Sequence, residues 1–174
     1  MLVGVITSAS APTIAATAHV LAELARRPGV QARAIAALAA DDSAALDVIV
    51  DEALRFAPPL WTPTRACVLP FMLARGTPHE MVLRPGTRVL ASTFSAGFDP
   101  AAVTDPEHFR PGRPGPHTLG FGGGVHACLG RHIAPVLVRA AVAALLRIGP
   151  VRPGPAGMSH DGPFPVALPL EFIA

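Results

Sequence analysis

The sequence predicts a mainly α-helical fold with small antiparallel β-sheets. Apolar residues recur at helical spacing near the start of the chain, between positions 42 and 54, and again between 129 and 148. Short apolar runs separated by turn residues occupy positions 65–96 and 159–174. With 174 residues, of which 51% are hydrophobic, the chain is long enough to bury the core of one domain.

Three helices are expected in the first third of the chain. The first covers residues 2–27 and is followed by Pro28 and Gly29, which are typical of a helix C-terminus. Pro12 interrupts this helix and predicts a kink or a local opening, because proline has no N–H to donate. The second helix is expected over residues 30–40.

The third helix begins after Asp42, whose side chain can cap it. It ends before Pro58 and Pro59. Its apolar residues fall on one stripe, which we expect to face the core and which comprises Leu46, Ile49, Val50, Ala53 and Leu54.

The middle and the end of the chain carry turn signals. Residues 84–87 predict a tight turn between strands at 81–83 and 88–91. Residues 97–120 contain prolines too densely for a regular helix or a central strand, so a long irregular meander is expected there. Asp161, Gly162 and Pro163 predict the turn of a final hairpin.

The last helix is expected from about Leu129 to Ile148, with Pro135 tolerated only in its first turns. We expect one face of this helix to point inward, formed by Ile133, Leu137, Val138, Ala141, Val142 and Leu145.

The composition of the chain argues against some classes of binding partner and favours one cell compartment. A net charge of +2 without a basic cluster argues against nucleic acid, and no apolar run approaches the 18 residues that a membrane span needs. The apolar N-terminus has no basic residue before Arg26, unlike a signal peptide. The two cysteines, Cys67 and Cys128, suit a reducing compartment. We therefore expect a cytoplasmic protein that binds neither nucleic acid nor a membrane.

The stretch 121–130 carries the chemistry of the chain, because Cys128 follows three consecutive glycines. Glycines allow a tight loop that a flat molecule can approach, and a helix starting at the cysteine would favour the thiolate. A thiolate is either a nucleophile, with His126 or His132 as its base, or a metal ligand. Zinc could be bound by Cys128 with His126, His132 and His117, although the spacing matches no common site. A dinucleotide loop is disfavoured because no βαβ pattern surrounds the glycines.

Four ordered stretches together resemble the C-terminal half of a cytochrome P450. They are Glu52-x-x-Arg55, Arg65, the meander segment 105–114 and the loop 121–130. The resemblance implies that Cys128 is the axial thiolate ligand of haem b, iron protoporphyrin IX. It further implies a monooxygenase that inserts one oxygen atom from dioxygen into a small organic substrate, with electrons from a ferredoxin or a flavoprotein.

The resemblance also assigns roles to other positions of this sequence. Those that would contact or pack around the haem are Arg65, Phe121, Gly122, Gly124, His126 and Gly130. Glu52, Arg55 and Arg113 match a buried triad that ties the third helix to the meander. Leu60, Trp61 and Thr62 match positions that line the substrate pocket.

The sequence departs from the family pattern in the first helix. Relatives place an acid and a threonine where this chain has Ala11 and Pro12, whose side chains cannot carry protons. Ser8, Thr13 or a substrate hydroxyl would then relay protons. Phe98 also stands where relatives often carry an arginine.

The resemblance covers nearly all of this chain but less than half of a typical member. We therefore expect residues 1–174 to form a single partial domain. The N-terminal half of the family is absent from it, and a separate N-terminal half would be a missing partner. Bare apolar faces on the first and third helices are expected in that case. The alternatives to a working monooxygenase are a non-catalytic remnant that binds haem weakly or not at all, and a thiol-dependent or zinc protein that uses Cys128.

Overall fold

The computed structural model describes residues 2–114, 119–162 and 164–173, with side chains from Ala9 onward. The helices are α1 Leu2–Ala25, α2 Pro28–Ala39, α3 Ser43–Phe56, α4 Thr93–Gly97 and α5 Ala134–Leu146. The strands are β1 Thr64–Ala66, β2 Phe71–Leu73, β3 Met81–Leu83, β4 Arg88–Leu90, β5 Val151–Pro153, β6 Ser159–Asp161, β7 Phe164–Ala167 and β8 Leu170–Phe172. The predicted class, mainly α with small antiparallel sheets, is confirmed.

Helix α1 is the central element, since it packs against α2, α3 and α5. Its C-terminal half supplies fully buried apolar side chains, among them Val20 and Leu24. Pro12 lies inside the helix, as predicted. The helix ends at Ala25, and α2 begins directly at Pro28, where proline's fixed φ suits a first helical turn.

Helix α3 begins and ends where the sequence predicts. The carboxylate of Asp42 accepts a hydrogen bond from the N–H of Ala45 at 2.9 Å, which satisfies one free donor of the first turn. The predicted apolar stripe is buried, and Glu52 and Arg55 are buried with it. The C-terminal end of α3 therefore places an ion pair inside the protein.

The strands predicted on either side of residues 84–87 form, as β3 and β4. The turn itself forms, with the N–H of Thr87 donating to the carbonyl of Arg84 at 3.0 Å. However, β3 pairs with β2 and β4 pairs with β1, each antiparallel. Cys67 explains the change, because its carbonyl accepts from Gly86 N at 2.8 Å and its N–H donates to Thr87 at 2.9 Å. The turn therefore passes the chain from one two-stranded sheet to the other.

The C-terminal hairpin is confirmed. Strands β6 and β7 pair antiparallel across Gly162, which adopts a φ of 58° that favours glycine. Pro163 lies outside the described residues. Strand β8 returns to pair with β5, and both β5 and β7 contact α1.

Helix α5 is shorter than predicted and is rotated relative to the expected face. Residues 129–133 form turns, and Pro135 falls in the first helical turn. Val138 and Val142 are buried as predicted, together with Leu146, because this i, i+4 spacing faces the core. The predicted inward residues Ile133, Leu137 and Ala141 are exposed instead.

An apolar groove of about 540 Å³ separates the exposed face of α5 from α1. Its walls include Thr13, Ile14, Leu137 and Ala141. Among the described residues, no helix is long and apolar enough to cross a membrane.

We predict that Leu24→Ala lowers the free energy of unfolding by about 2–5 kcal/mol, because Leu24 is fully buried between helices and the smaller side chain leaves a cavity. Urea denaturation followed by circular dichroism measures the change. Leu69→Ala is the matched control, since Leu69 is exposed and its truncation costs less than about 0.5 kcal/mol. Equal losses in the two variants would contradict the packing described for α1.

Candidate functional site

A buried ion pair at the end of α3 is the base of the site. The guanidinium of Arg55 donates to both carboxylate oxygens of Glu52, through Nη2 at 2.9 Å and Nε at 3.1 Å. The i, i+3 spacing on the helix allows this two-pronged contact. The side chains are 0% and 2% exposed, so water screens the pair very little.

The meander is attached to this pair at several points. Arg55 Nη1 donates to the carbonyl of Gly97 at 2.7 Å, and its Nη2 donates to the carbonyl of Pro106 at 2.8 Å. Glu52 Oε1 accepts from the backbone N–H of Arg110 at 2.8 Å and from Arg113 Nε at 3.0 Å. The structure therefore brings Glu52, Arg55 and Arg113 together, and a long segment without regular structure is held by fixed hydrogen bonds.

Arg113 also closes the meander on itself. Its guanidinium donates to the backbone carbonyls of Asp105, at 2.9 Å, and of Thr104 and His108. An arginine suits this position because its donors point in several fixed directions at once. Residues 115–118 lie outside the described part of the chain.

Aromatic rings cover the ion pair. The Arg55 guanidinium lies 4.5 Å from the ring centroid of Phe56 and 5.0 Å from that of Phe98. Arg27 lies over Phe56 and Phe109 at 4.8 and 4.7 Å. Phe98, a departure from the family pattern, thus stacks on the triad arginine. Sequence reasoning missed this cluster, since only the fold brings its members together.

The protonation state of Glu52 follows from these contacts. Burial by itself raises the pKa of a carboxyl group, but hydrogen bonds from the Arg55 side chain, the Arg110 backbone and the Arg113 side chain outweigh it. The pKa of Glu52 is therefore held below its usual value. A carboxylate with a lowered pKa stabilises the fold at neutral pH, and this contribution is lost as the pH falls below about 4.5.

The loop that carries Cys128 is closed by backbone hydrogen bonds. The N–H of Cys128 donates to the carbonyl of Phe121 at 2.7 Å, and Gly124–His126 form one 3₁₀ turn between them. Gly122 has a φ of 65°, and a Cβ there would lie 3.0 Å from the His126 carbonyl oxygen. A side chain at position 122 would therefore disturb the loop, which explains why a glycine suits this position.

The sequence predicts a helix that starts beside the Cys128 sulfur, and this prediction is wrong. Helix α5 begins only at Ala134, and turns at residues 129–133 separate it from Cys128. The N–H groups of Ile133 and Ala134 donate to the carbonyl of Gly130 at 2.9 and 2.8 Å, so the first helical turn is built on Gly130. The helix dipole therefore acts on the turn that follows the cysteine.

The surroundings of Cys128 fit a haem group. The cysteine is free and exposed, and its neighbours Val125 and Leu129 are 97% and 84% exposed. Such an apolar surface around one thiol matches a flat, mostly apolar macrocycle whose iron takes a sulfur ligand. Arg65 and His126 are also exposed, and a cation suits the two carboxylates of haem.

The zinc site considered for Cys128 is described only in part. Within residues 2–114, 119–162 and 164–173, no group of three or more His, Cys, Asp or Glu residues is placed to hold a metal ion. His117, one of the considered zinc ligands, lies outside the described residues. His132 Nε2 accepts a hydrogen bond from Arg131 Nε at 3.0 Å, which engages that ring nitrogen.

The predicted pocket residues are at the surface of the described chain. Leu60, Trp61 and Thr62 are exposed, and Trp61 stacks on Phe94 with centroids 5.5 Å apart. The carbonyl of Trp61 accepts from the N–H of Thr93 at 2.9 Å, which fixes the segment to α4.

The two candidate proton carriers lie on α1. The hydroxyl of Thr13 donates to the carbonyl of Ala9 at 2.7 Å. Of Ser8, only the backbone is described, so its side chain lies outside the described part of the structure.

His19 was missed by sequence reasoning because a single histidine in an apolar helix carries no pattern. It is buried on α1, and its Nδ1 lies 3.1 Å from the carbonyl oxygen of Ala57. Its ring lies 6.5 Å from the ring of Trp61 and 6.3 Å from that of His160. Burial lowers the pKa of His19, and the hydrogen bond to Ala57 offsets this only in part.

A helical fold with a glycine-rich cysteine loop and a buried Glu–Arg–Arg cluster defines a class of haem-thiolate proteins. The family model for cytochrome P450 matches residues 1–148 of this chain. The chain belongs to the cytochrome P450 family.

Relatives of known sequence agree with this assignment. Cytochrome P450-terp of a Pseudomonas species is 35% identical over 98 residues, covering 56% of this chain and 22% of the relative. The steroid C26-monooxygenase of Mycolicibacterium smegmatis is 31% identical over 96 residues, covering 55% of this chain and 23% of the relative. The chain thus matches less than a quarter of the length of either relative.

Solved structures share the fold. CalO2 superposes with a TM-score of 0.81 at 26% identity, covering 99% of this chain and 43% of its own. The mixed-function P450 MycG, in complex with mycinamicin V, gives a TM-score of 0.79 at 27% identity, covering 98% and 43%.

We predict that Glu52→Gln lowers the free energy of unfolding by about 3–5 kcal/mol, because it leaves the Arg55 charge buried without a carboxylate. Denaturant unfolding at pH 7 measures the loss. The matched control is Glu171→Gln, whose exposed pair with Arg152 contributes less than about 1 kcal/mol. In the unmodified protein, protonation of Glu52 lowers the free energy of unfolding as the pH falls below about 4.5. Glutamine does not titrate, so the variant should show a smaller decline over the same pH range. An unchanged acid profile would count against the buried pair.

Proposed function

We propose that this chain is the haem-binding part of a cytochrome P450 monooxygenase, with Cys128 as the axial thiolate ligand of haem b. The observation that carries the proposal is the exposed Cys128 thiol in a loop closed by the bond from Cys128 N to Phe121 O, among exposed apolar neighbours. Residues 1–174 act in this proposal as one partial domain in the cytoplasm, and an N-terminal half would be its missing partner.

Bound haem would supply the activation of dioxygen and the transfer of one oxygen atom to a small organic substrate. The chain's own residues bind and orient the cofactor. Arg65 and His126 would offset the negative charge of the propionates, and Phe121 would pack against the cysteine loop beside the bound cofactor. Gly122 and Gly130 keep the loop narrow enough for a flat molecule to approach.

The triad keeps the cysteine side of the site in place. Glu52, Arg55 and Arg113 join α3 to the meander that leads into the loop, so the position of Cys128 depends on a rigid support.

Thr13 or Ser8 would move protons in place of the usual acid–threonine pair. The Thr13 hydroxyl donates to Ala9 O at 2.7 Å, and its oxygen can still accept a hydrogen bond from water or substrate. Leu60, Trp61 and Thr62 would line the substrate pocket, and a ferredoxin or flavoprotein would deliver electrons. No nucleic acid or membrane takes part in this proposal.

A second candidate is a non-catalytic remnant of the family that binds haem weakly or not at all. The open apolar groove between α1 and α5 favours it, since contiguous exposed apolar surface is unusual in a soluble domain. Ala11 and Pro12 favour it as well, because neither can relay a proton.

We predict that the haem-loaded protein, once reduced and exposed to carbon monoxide, gives the Soret band of a thiolate-ligated haem. Cys128→Ser removes the thiolate and should abolish this band. Cys67→Ser should leave it intact, because Cys67 directly follows β1 and its thiol donates to the carbonyl of Leu69. Haem uptake without a thiolate-type band in the unmodified protein would overturn the ligand assignment, and no haem uptake would favour the remnant.

We predict that Thr13→Ala slows NADPH consumption, driven through a surrogate ferredoxin and its reductase, by about tenfold or more, since a positioned proton donor contributes at least that much. Oxidation of guaiacol by hydrogen peroxide should stay unchanged, because peroxide brings its own protons. Thr17→Ala is the matched control, as Thr17 donates to Thr13 O one turn further on. Tightly coupled turnover in a Ser8→Ala/Thr13→Ala double variant would contradict a role for either residue.

A further inference from the structure

His19 is held in one tautomer by its contact with Ala57. Its Nδ1 lies 3.1 Å from the Ala57 carbonyl oxygen, which can only accept a hydrogen bond. The Nδ1 atom therefore carries a proton. In the neutral ring the other nitrogen, Nε2, is then a bare acceptor.

The Nε2 atom is the part of His19 that a ligand can reach. His19 is only 4% exposed, and Nε2 has no hydrogen-bond partner among the described residues. In the same part of the chain, every buried side-chain nitrogen or oxygen has a partner. An atom without a partner must therefore touch solvent, so the small exposed area of His19 includes its acceptor nitrogen.

Two other rings lie near the His19 ring. Trp61 is half exposed, stacked on Phe94, and its ring lies 6.5 Å from that of His19. The ring of His160, exposed on β6, lies 6.3 Å from that of His19, measured between centroids. Three separate elements, α1, the segment after α3 and the β6–β7 hairpin, thus bring their rings together around His19.

The charges around His19 keep it neutral. Burial lowers its pKa, and His160 and Arg26 act in the same direction, while the bond to Ala57 and the charge of Glu23 oppose them. Glu23 is itself paired with Arg26 and Arg27, which weakens its pull on a proton. Near pH 7 the Nε2 atom therefore offers a lone pair.

We propose that His19 is a specificity-determining residue, whose Nε2 accepts a hydrogen bond from a hydroxyl or N–H group of an aromatic substrate that lies against Trp61. The proposal rests on the proposed function, because Trp61 belongs to the expected pocket. It names the substrate class as phenols and related aromatic donors. Ethers and carboxylates of the same shape fit poorly, since they bring no proton to the acceptor at neutral pH.

Isothermal titration calorimetry of the haem-loaded protein at pH 7.5 tests the proposal with two probes, 4-tert-butylphenol and 4-tert-butylanisole. The two probes differ in the donor hydrogen, so the phenol should bind about three- to tenfold more tightly. His19→Phe should remove this preference. His79→Phe, at an exposed histidine in the β2–β3 loop, should keep it. Equal binding of the two probes to the unmodified protein would overturn the proposal.

The ratio of the phenol and anisole affinities can also be measured as a function of pH. This second test does not rely on a substitution at a buried position, which could prevent folding. The lowered pKa of His19 means that the preference is full near pH 7.5 and is lost at acid pH, below about 6.5, as Nε2 gains a proton and becomes a donor. The His160→Ala variant should show the same loss, which separates His19 from its neighbour. A ratio that is constant between pH 7.5 and 5, or a loss that disappears in His160→Ala, would contradict the assignment.

Cys128→Ser separates this inference from the proposed function. The variant lacks the sulfur ligand, yet it should still prefer the phenol to the anisole, because recognition is assigned to His19. A preference that disappears in Cys128→Ser would place the phenol at the iron and overturn the inference. A preference that persists in a protein without the thiolate-type Soret band would uphold the inference while the ligand assignment fails.

Discussion

The Glu52 carboxylate is the point at which the helical layer and the irregular part of the chain are joined. It receives hydrogen bonds from the side chains of Arg55 and Arg113 and from the backbone of Arg110. Because the carboxylate is buried, these contacts outweigh the cost of its desolvation only as a complete set. Residues 97–114 have little regular structure of their own, so their position depends on this ion cluster and on the aromatic rings that cover it.

The cysteine loop follows the meander in the chain. The meander leads towards the loop, and the loop itself is closed by backbone hydrogen bonds that leave the thiol of Cys128 exposed. This arrangement separates two tasks. Buried charges fix the backbone, while the surface around the sulfur stays apolar and open for a flat cofactor. On α1, the side chains of Ala11 and Pro12 cannot carry protons.

His19 and Trp61 are both held by hydrogen bonds to or from other elements. His19 is buried on α1 and tied to the end of α3, so its acceptor nitrogen has a fixed direction. The neighbouring Trp61 is held by bonds from Thr93 to its carbonyl. Rigid placement of a few polar groups beside aromatic surface is the usual basis of specificity in small-molecule sites. Here it comes from residues that no local pattern marks.

The sequence by itself determined the local elements and the family. Asp42, Pro28 and the apolar stripe of α3 act through neighbours a few residues away, and the family pattern of the loop 121–130 is contained in ten consecutive residues. Tertiary structure alone decided the strand pairing, the buried face of α5 and the surroundings of His19 and Phe98. These features depend on partners distant in sequence, such as Cys67 for Gly86 and Ala57 for His19, whose contacts arise only when helices and sheets pack.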